Sequence, residues 1–316
     1  MRAVAWQSER GPLALVELPL PEPGDGELLV RVVNASINPA DVRIGTGNYP
    51  WGDFAYPAVL GFDFAGVVEA LGPGCERFAV GAEVFGHWGR ERFGDGSWAE
   101  YLTVPEDGFV AAKPANVEFE AAAAFPLAAA TAAAMVEAVD PAAGEPLLVV
   151  GAGGAIGRYA VQLGARAEAK VIATAKPGTE KRLLELGAAE LVDYRHEDTA
   201  AVVAELHPEG IAGLVDLPTE DKAEFARLAA TVRDGGAVAS ACFAADGKAL
   251  AERGVSAFNV ITTRCEPSVF TRPAALLAAG ELEIDYDRVS PLSQVPAAVA
   301  ELGEGGSAKV VIDLAS

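Results

Sequence analysis

Cysteine is scarce in this chain, with Cys75, Cys242 and Cys265 the only three among 316 residues. Their spacing matches neither a disulfide framework nor a zinc site, and scattered thiols suit a reducing compartment. Basic charge is also short: 24 Lys and Arg stand against 45 Asp and Glu, a net charge of −21. That balance argues against nucleic acid and anionic membrane surfaces as partners. Histidine occurs three times, at His87, His196 and His207, too far apart to suggest a metal cluster. The first residues lack the apolar segment of a secretory signal. The alanine-rich run at 121–134 is interrupted by Pro126 and is too short to span a bilayer. These absences read as a soluble cytoplasmic protein. The chain is 51% hydrophobic, enough for two domains with full cores.

What is present is most informative near the middle. Residues 147–150, Leu-Leu-Val-Val, form an apolar run suited to a central parallel strand. The turn Gly151-Ala-Gly153-Gly154-Ala155-Ile156-Gly157 follows, and then an apolar-periodic helix through Tyr159, Val161, Leu163 and Ala165. Ile156 fills the last slot of a strict G-x-G-x-x-G, so that pattern fails. The variant G-x-x-G-x-x-G fits Gly151, Gly154 and Gly157. Strand, glycine turn and helix together let backbone N–H groups approach a pyrophosphate at the positive end of the helix. An ordinary tight turn of another α/β fold is the bland alternative.

The two sides of this motif differ in pattern. Residues 1–118 read as β-rich, with strands at 3–6, 13–18, 28–36, 64–70, 83–85 and 99–104, and no sustained helical periodicity. Residues 118–139 read as one helical stretch kinked near Pro126. Strands then alternate with helices, at 147–150, 170–175, 190–193, 213–217, 237–242 and 256–261. Six strands in βα alternation predict a doubly wound parallel sheet around a dinucleotide site. The chain ends with short helices at 272–279 and 294–302, a short strand at 289–291 and a final strand at 309–314.

Several stretches carry a family likeness: SINPADVRIGTGNYP (36–50), VLGFDFAGVVEALGPG (59–74), GSWAEYLTVPED (96–107), VVGAGGAIG (149–157), ELGAAELVDYR (185–195), VRDGGAVAS (232–240) and GGSAKVVIDL (305–314). In this order they resemble the medium-chain dehydrogenase/reductase superfamily, and within it the zinc-independent quinone oxidoreductase branch. The resemblance covers nearly the whole chain. It implies an α/β protein: a GroES-like β-rich catalytic domain from 1–118 and 266–316, with a Rossmann domain at 119–265 inserted and the active site in the cleft. It also implies a homodimer joined through the edge strand near Ser256 to Ile261.

Alcohol-oxidising relatives hold a catalytic zinc through an early Cys and a His-Glu pair. Those positions here are Asn38, Phe62 and Asp63, and an amide and a phenyl ring do not make a zinc site. The expectation is therefore no metal. The second Rossmann strand ends Thr174-Ala-Lys176, with no carboxylate before Glu180 to receive a ribose 2′-OH. Thr174 and Lys176 suit a 2′-phosphate instead, so NADPH is the expected cofactor; a solvated loop lysine is the plain reading of Lys176. The resemblance adds Tyr194, Thr131 and Lys309 as cofactor contacts. A helix threonine bonded to its preceding turn and a solvated strand lysine are the alternatives for the last two. Gly235 and Gly236 read as a close approach to the cofactor or as a plain turn.

The expected activity is hydride transfer to a quinone or an α,β-unsaturated carbonyl substrate. Asn38 and Tyr49 are the expected catalytic donors to the acceptor oxygen. Two readings stand beside them: Asn38 bonding its own backbone before Pro39, and Tyr49 as a packed loop aromatic. Trp88, Phe93 and Trp98 either line an apolar pocket or pack their loop. An NADPH-binding redox sensor without significant turnover is the rival function.

Overall fold

The computed structural model describes residues 1–9, 11–47, 53–89, 92–304 and 308–315. Tyr49, one of the two expected donors, lies outside the described residues. The chain divides into two compact units, Met1–Leu127 with Glu266–Ser316, and Ala128–Cys265.

The first unit holds strands β1 (Arg2–Trp6), β2 (Leu13–Glu17), β3 (Glu27–Ile37), β4 (Asp53–Val59), β5 (Asp63–Leu71), β6 (Glu83–His87), β7 (Arg92–Asp95), β8 (Tyr101–Pro105) and β9 (Val110–Ala112). Helix α1 (Pro39–Gly45) follows β3. No sustained helical periodicity is visible before residue 118, and α1 departs from that reading: seven residues are too few to show it. Pro39 starts α1, where its missing N–H costs nothing. The expected kinked helix at 118–139 is two helices, α2 (Phe119–Ala124) and α3 (Pro126–Val139), because Pro126 cannot donate into a continuous ladder.

The second unit is a six-stranded parallel sheet. Its strands are β10 (Pro146–Val150), β11 (Lys170–Ala175), β12 (Glu190–Asp193), β13 (Ile211–Asp216), β14 (Val232–Ser240) and β15 (Ser256–Asn259), in the order β12-β11-β10-β13-β14-β15. Helices α4 (Ala155–Arg166), α5 (Glu180–Glu185), α6 (Thr199–Leu206), α7 (Lys222–Ala229) and α8 (Gly247–Ala251) connect them. The order reverses between β10 and β13, the doubly wound arrangement expected. Asp198, Asp221 and Asp246 start α6, α7 and α8 by accepting first-turn N–H groups. Leu148, Ile172, Leu214, Phe225 and Val238 belong to its core.

The chain then returns to the first unit through α9 (Ser268–Ala278), β16 (Arg288–Pro291), α10 (Val295–Gly303) and β17 (Val310–Asp313). The eleven-residue β3 organises this unit. Its first half pairs β8 and its second half pairs β17, while β5 pairs along much of its other edge. Val310 lies opposite Ile37, and Ala35 lies opposite Phe64. One residue further along each ladder, Lys309 comes beside Asn38 and Ser36 beside Asp63. The register thus brings together side chains that are hundreds of residues apart in sequence. A second sheet, β2-β1-β4-β7, completes the unit. Among the described residues no helix is long and apolar enough to cross a membrane.

Candidate active site

In the second unit the glycine turn joins β10 to α4. Gly151 has φ +82°, a conformation that glycine adopts without strain. A Cβ on Gly157 would stand 2.3 Å from the Gly151 carbonyl oxygen, so α4 packs on the turn at backbone distance. Gly154 is the N-cap of α4, and Ala155 and Ile156 are its first, half-buried residues. A Cβ on Gly153 would meet nothing nearer than 3.7 Å, and one on Gly154 nothing nearer than 3.4 Å. The approach to the helix N-terminus is therefore open. These residues fit a dinucleotide pyrophosphate, which the first-turn N–H groups of α4 would hold.

Thr174 has a different role from the one expected. It is buried, and its Oγ1 accepts from the Gly151 N–H at 2.9 Å. Successive strand residues alternate faces, and this one turns toward the glycine turn. Thr174 therefore braces the turn. Replacing Thr174 with valine leaves the Gly151 N–H unpaired and should cost about 1–3 kcal/mol in urea unfolding; a loss under about 0.5 kcal/mol would contradict the bracing role.

Lys176 follows β11 in an exposed turn closed by Thr179, whose N–H donates to the Lys176 carbonyl at 3.0 Å. Thr179 is also the nearest neighbour of the Gly153 Cβ position, so the lysine turn borders the glycine turn. Sequence reasoning missed Thr179; its signal was the Gly178-Thr179-Glu180 start of α5. Tyr194 is exposed just beyond β12, on the same edge of the sheet, with the Arg195 guanidinium 5.8 Å from its ring centre.

Gly235 and Gly236 lie elsewhere, which corrects their assignment as cofactor contacts. Ser240 is level with Asp216, and Asp216 with Val150, at the carboxyl edge of the sheet. Gly236 comes four residues earlier, roughly 13 Å back along the strand at about 3.3 Å per residue. Gly235 adopts φ +79° and donates to Arg253 O, and a Cβ on Gly236 would stand 2.6 Å from Ala212 O. These glycines serve a bulge at the opposite edge. Thr131 is buried on α3 with its hydroxyl 2.7 Å from that of Thr262, rather than bonded only to its preceding turn.

At the carboxyl end of β13, Asp216 is fully buried. Its Oδ1 accepts from the Thr219 N–H at 2.9 Å, and burial raises its pKa above the ordinary value. Pro218 follows and packs against Gly151, 3.0 Å from the Cβ position there. The altered marker around Leu217 and Pro218 thus forms one wall of the turn.

The first unit contains a buried ionic cluster. Asp63 Oδ2 accepts from Ser36 Oγ at 2.7 Å, Lys309 Nζ at 2.8 Å and Asn38 Nδ2 at 2.9 Å. Its Oδ1 accepts from the Leu127 N–H at 2.7 Å. Lys309 Nζ also donates to Asn38 Oδ1 at 2.7 Å. Lys309 is thus a buried partner of Asp63 and not a solvated strand residue. Burial works to raise the Asp63 pKa, but the Lys309 charge and these hydrogen bonds outweigh it and hold the pKa below its ordinary value.

Asn38 caps the start of α1. Its N–H donates to Asp41 Oδ2 at 2.8 Å, and its amide hydrogens are directed to Asp63 and, at 3.4 Å, to Asp41. Both amide donors are therefore engaged inside the unit. In this arrangement Asn38 holds Lys309 and Asp41 in place. His87, at the end of β6, is buried and stacked on Phe109 with ring centres 4.1 Å apart. Burial lowers its pKa to about 4, so its ring is neutral near pH 7.

The residues at the metal positions do not fit a zinc ion. Asp63 is committed to an ammonium and three further donors, and Phe62 packs on Trp88 at 6.1 Å between ring centres. Among the described residues no three His, Cys, Asp or Glu side chains are placed to hold a metal.

The fold is that of a GroES-like β unit joined to a Rossmann sheet. Residues 24–115 match the alcohol dehydrogenase GroES-like domain, and residues 186–312 match the zinc-binding dehydrogenase family. A crystallised NAD-dependent alcohol dehydrogenase is 30% identical with a TM-score of 0.86, over 99% of this chain and 100% of that one. A quinone oxidoreductase from Pseudomonas syringae pv. Tomato is 26% identical with a TM-score of 0.85, over 99% of each chain. The chloroplastic NADPH-dependent alkenal/one oxidoreductase of Arabidopsis thaliana is 34% identical over 57% of this chain and 48% of its own length. The matched stretch spans about half the length of such curated relatives. The chain belongs to the medium-chain dehydrogenase/reductase superfamily.

Proposed function

We propose that the protein is an NADPH-dependent reductase that passes hydride to a quinone or an α,β-unsaturated carbonyl compound without zinc. The observation that carries this reading is the Lys309–Asp63–Asn38 cluster, which fills with an ammonium the positions where alcohol-oxidising relatives place metal ligands. The likeness to a quinone oxidoreductase and to an alkenal/one oxidoreductase supports the same direction. When bound, the reduced dinucleotide supplies the hydride. The chain's own residues bind and orient: the Gly151–Gly154 turn and the first turn of α4 hold the pyrophosphate, Thr174 fixes Gly151, and Lys176 faces the adenosine end. The reading includes a homodimer paired along β15, the terminal strand of the sheet.

Lys176 decides the cofactor in this reading. A charge-assisted contact to a 2′-phosphate is worth about 1.5–3 kcal/mol. Lys176→Ala should therefore weaken NADPH about ten- to a hundredfold while leaving NADH within about twofold, read by titration of each dinucleotide. Equal loss for both would remove Lys176 from the 2′-phosphate. Activity is tested by following reduced dinucleotide consumption with a panel of quinones, enones and saturated alcohols. Saturable NADPH binding with no turnover on any acceptor would end the reductase reading.

A further inference from the structure

Two opposite charges share the turn between β11 and α5. Lys176 follows the last residue of β11, and Glu180 is the first residue of α5. Among the described residues the Lys176 ammonium has no ion-pair partner, although Glu180 is on the same turn. The neighbouring Lys181 and Arg182 both reach Glu185 instead. The Glu180 side chain is half-buried and folds back over the turn, where its Oε2 accepts from the Gly178 N–H at 2.7 Å. Gly178 adopts φ +92°, and a Cβ there would meet nothing within 4 Å, so this side of the turn is open. The turn is also fixed from within. The Thr179 hydroxyl donates to Lys176 O at 2.8 Å, and the Lys176 N–H donates to Thr179 Oγ1 at 3.0 Å.

The place of this turn decides what it can meet. Val149 of β10 pairs with Ala173 of β11 in parallel, so both strands end at the same carboxyl edge. The nearest atom to the Gly153 Cβ position belongs to Thr179, at 3.7 Å. In a dinucleotide the adenosine ribose is attached directly to the pyrophosphate through its 5′-carbon. A pyrophosphate held at the start of α4 would therefore carry that ribose to the Lys176–Glu180 turn. The 2′-position of the ribose is where NADH and NADPH differ. A carboxylate accepts from a 2′-hydroxyl and repels a 2′-phosphate, whereas an ammonium attracts the phosphate. The end of β11 carries no carboxylate, the usual source of such an acceptor. The folded-back Glu180 supplies one from the helix side of the same turn.

We propose that Glu180 is a specificity-determining residue of the dinucleotide site: it accepts from the ribose 2′-hydroxyl of NADH and opposes the 2′-phosphate that Lys176 attracts. The inference rests on the dinucleotide-binding reading and widens its scope, since the site then takes both cofactors. Lys176 and Glu180 pull the preference in opposite directions, and the balance between them sets it. The selection acts at the adenosine end and so through binding, not through the hydride step.

The test is fluorescence titration of the full chain with NADH and with NADPH. Wild type should bind both, with NADPH no more than about tenfold the tighter. Glu180→Gln keeps an oxygen that can accept from Gly178 but removes the charge. It should tighten NADPH and weaken NADH, each about three- to tenfold, so the ratio of the two dissociation constants shifts about ten- to a hundredfold. Glu180→Lys should move the ratio further in the same direction. The urea midpoint of Glu180→Gln should match wild type, because the Gly178 bond survives. If Glu180 only held Gly178, the ratio would stay where it was. A ratio that moves less than about twofold in both variants, equal changes for both dinucleotides, or a wild type that refuses NADH would overturn the proposal. A wild type that binds neither dinucleotide would overturn the dinucleotide reading and this proposal together, an outcome distinct from an unmoved ratio in a protein that binds both.

Discussion

Replacing Lys309 with methionine should lower the free energy of unfolding by about 3–5 kcal/mol, the range for stranding one charge of a buried pair. Asp63 is 0% exposed and Lys309 is 4% exposed, so water cannot take over from the lost ammonium. Surface pairs set the contrast. Arg227 reaches both Asp198 and Glu224 but is half exposed, and such pairs contribute about 0–1 kcal/mol. Urea unfolding of the Lys309 and Arg227 variants side by side measures the difference. Adding Asp63→Asn to Lys309→Met should recover part of the loss. The amide removes the stranded charge and still accepts from some of Ser36, Asn38 and the Leu127 N–H, though not from all of them. The pH dependence follows from the sign of the Asp63 shift. Its folded pKa is depressed, so its contribution is present above the unfolded value and is lost as pH falls through the folded one. The gap between wild type and the Lys309 variant should therefore narrow in acid. A loss under about 1 kcal/mol, or a gap that widens in acid, would show that the pair is not the buried anchor described.

The parts of the fold legible in the sequence were those set by local pattern. β10 is a pure apolar run, α4 has a clear helical period, and the βα alternation fixes a parallel sheet without knowledge of contacts. β4, β7 and β9 were missed because their extended form depends on a partner. β4 contains Pro57, β7 sits in a glycine-rich loop and pairs β4, and β9 has three residues against β6. Residue types were also easier to read than directions. Thr174 was placed on the right strand, but its hydroxyl faces Gly151. Gly235 and Gly236 were placed beside the right strand but at the wrong edge of the sheet, since no periodicity reports where a strand sits along its ladder. Asn38 and Lys309 were both singled out, yet their bond joins positions 271 residues apart. Only the β3–β17 register could show that they meet, and that meeting engages the Asn38 carboxamide with Lys309 as well as Asp63. The aromatic segment around Trp88 and Phe93 left lining and packing open together; in the structure those rings pack on each other and on Phe62, while Trp98 packs with its Nε1 donating to Ser36 O.

Gly157→Ala should weaken NADPH binding about a hundredfold and cost about 1–3 kcal/mol of stability, the usual price of overpacking. The added methyl would stand 2.3 Å from Gly151 O, 2.5 Å from Ala152 Cα and 2.7 Å from Ala152 C. All three are backbone atoms, so no side-chain rotation relieves the clash; either α4 retreats or the turn moves. Gly151 O also accepts from the Gly154 N–H at 3.0 Å, so a shift there displaces the N-cap of α4 and the N–H groups meant for the pyrophosphate. Gly153→Ala is the matched control. Its methyl meets only Thr179 atoms at 3.7 Å or more, so stability should stay within about 0.5 kcal/mol, as for a surface change. The same methyl would nevertheless stand in the open approach to the helix, so affinity should fall in this variant too. The two substitutions thus separate fold from ligand: one moves both readouts, the other moves affinity alone. Fluorescence titration with NADPH and urea unfolding measure them independently. If Gly157→Ala binds NADPH within about twofold of wild type, the pyrophosphate does not rest on this turn, and the dinucleotide must be sought elsewhere on the sheet.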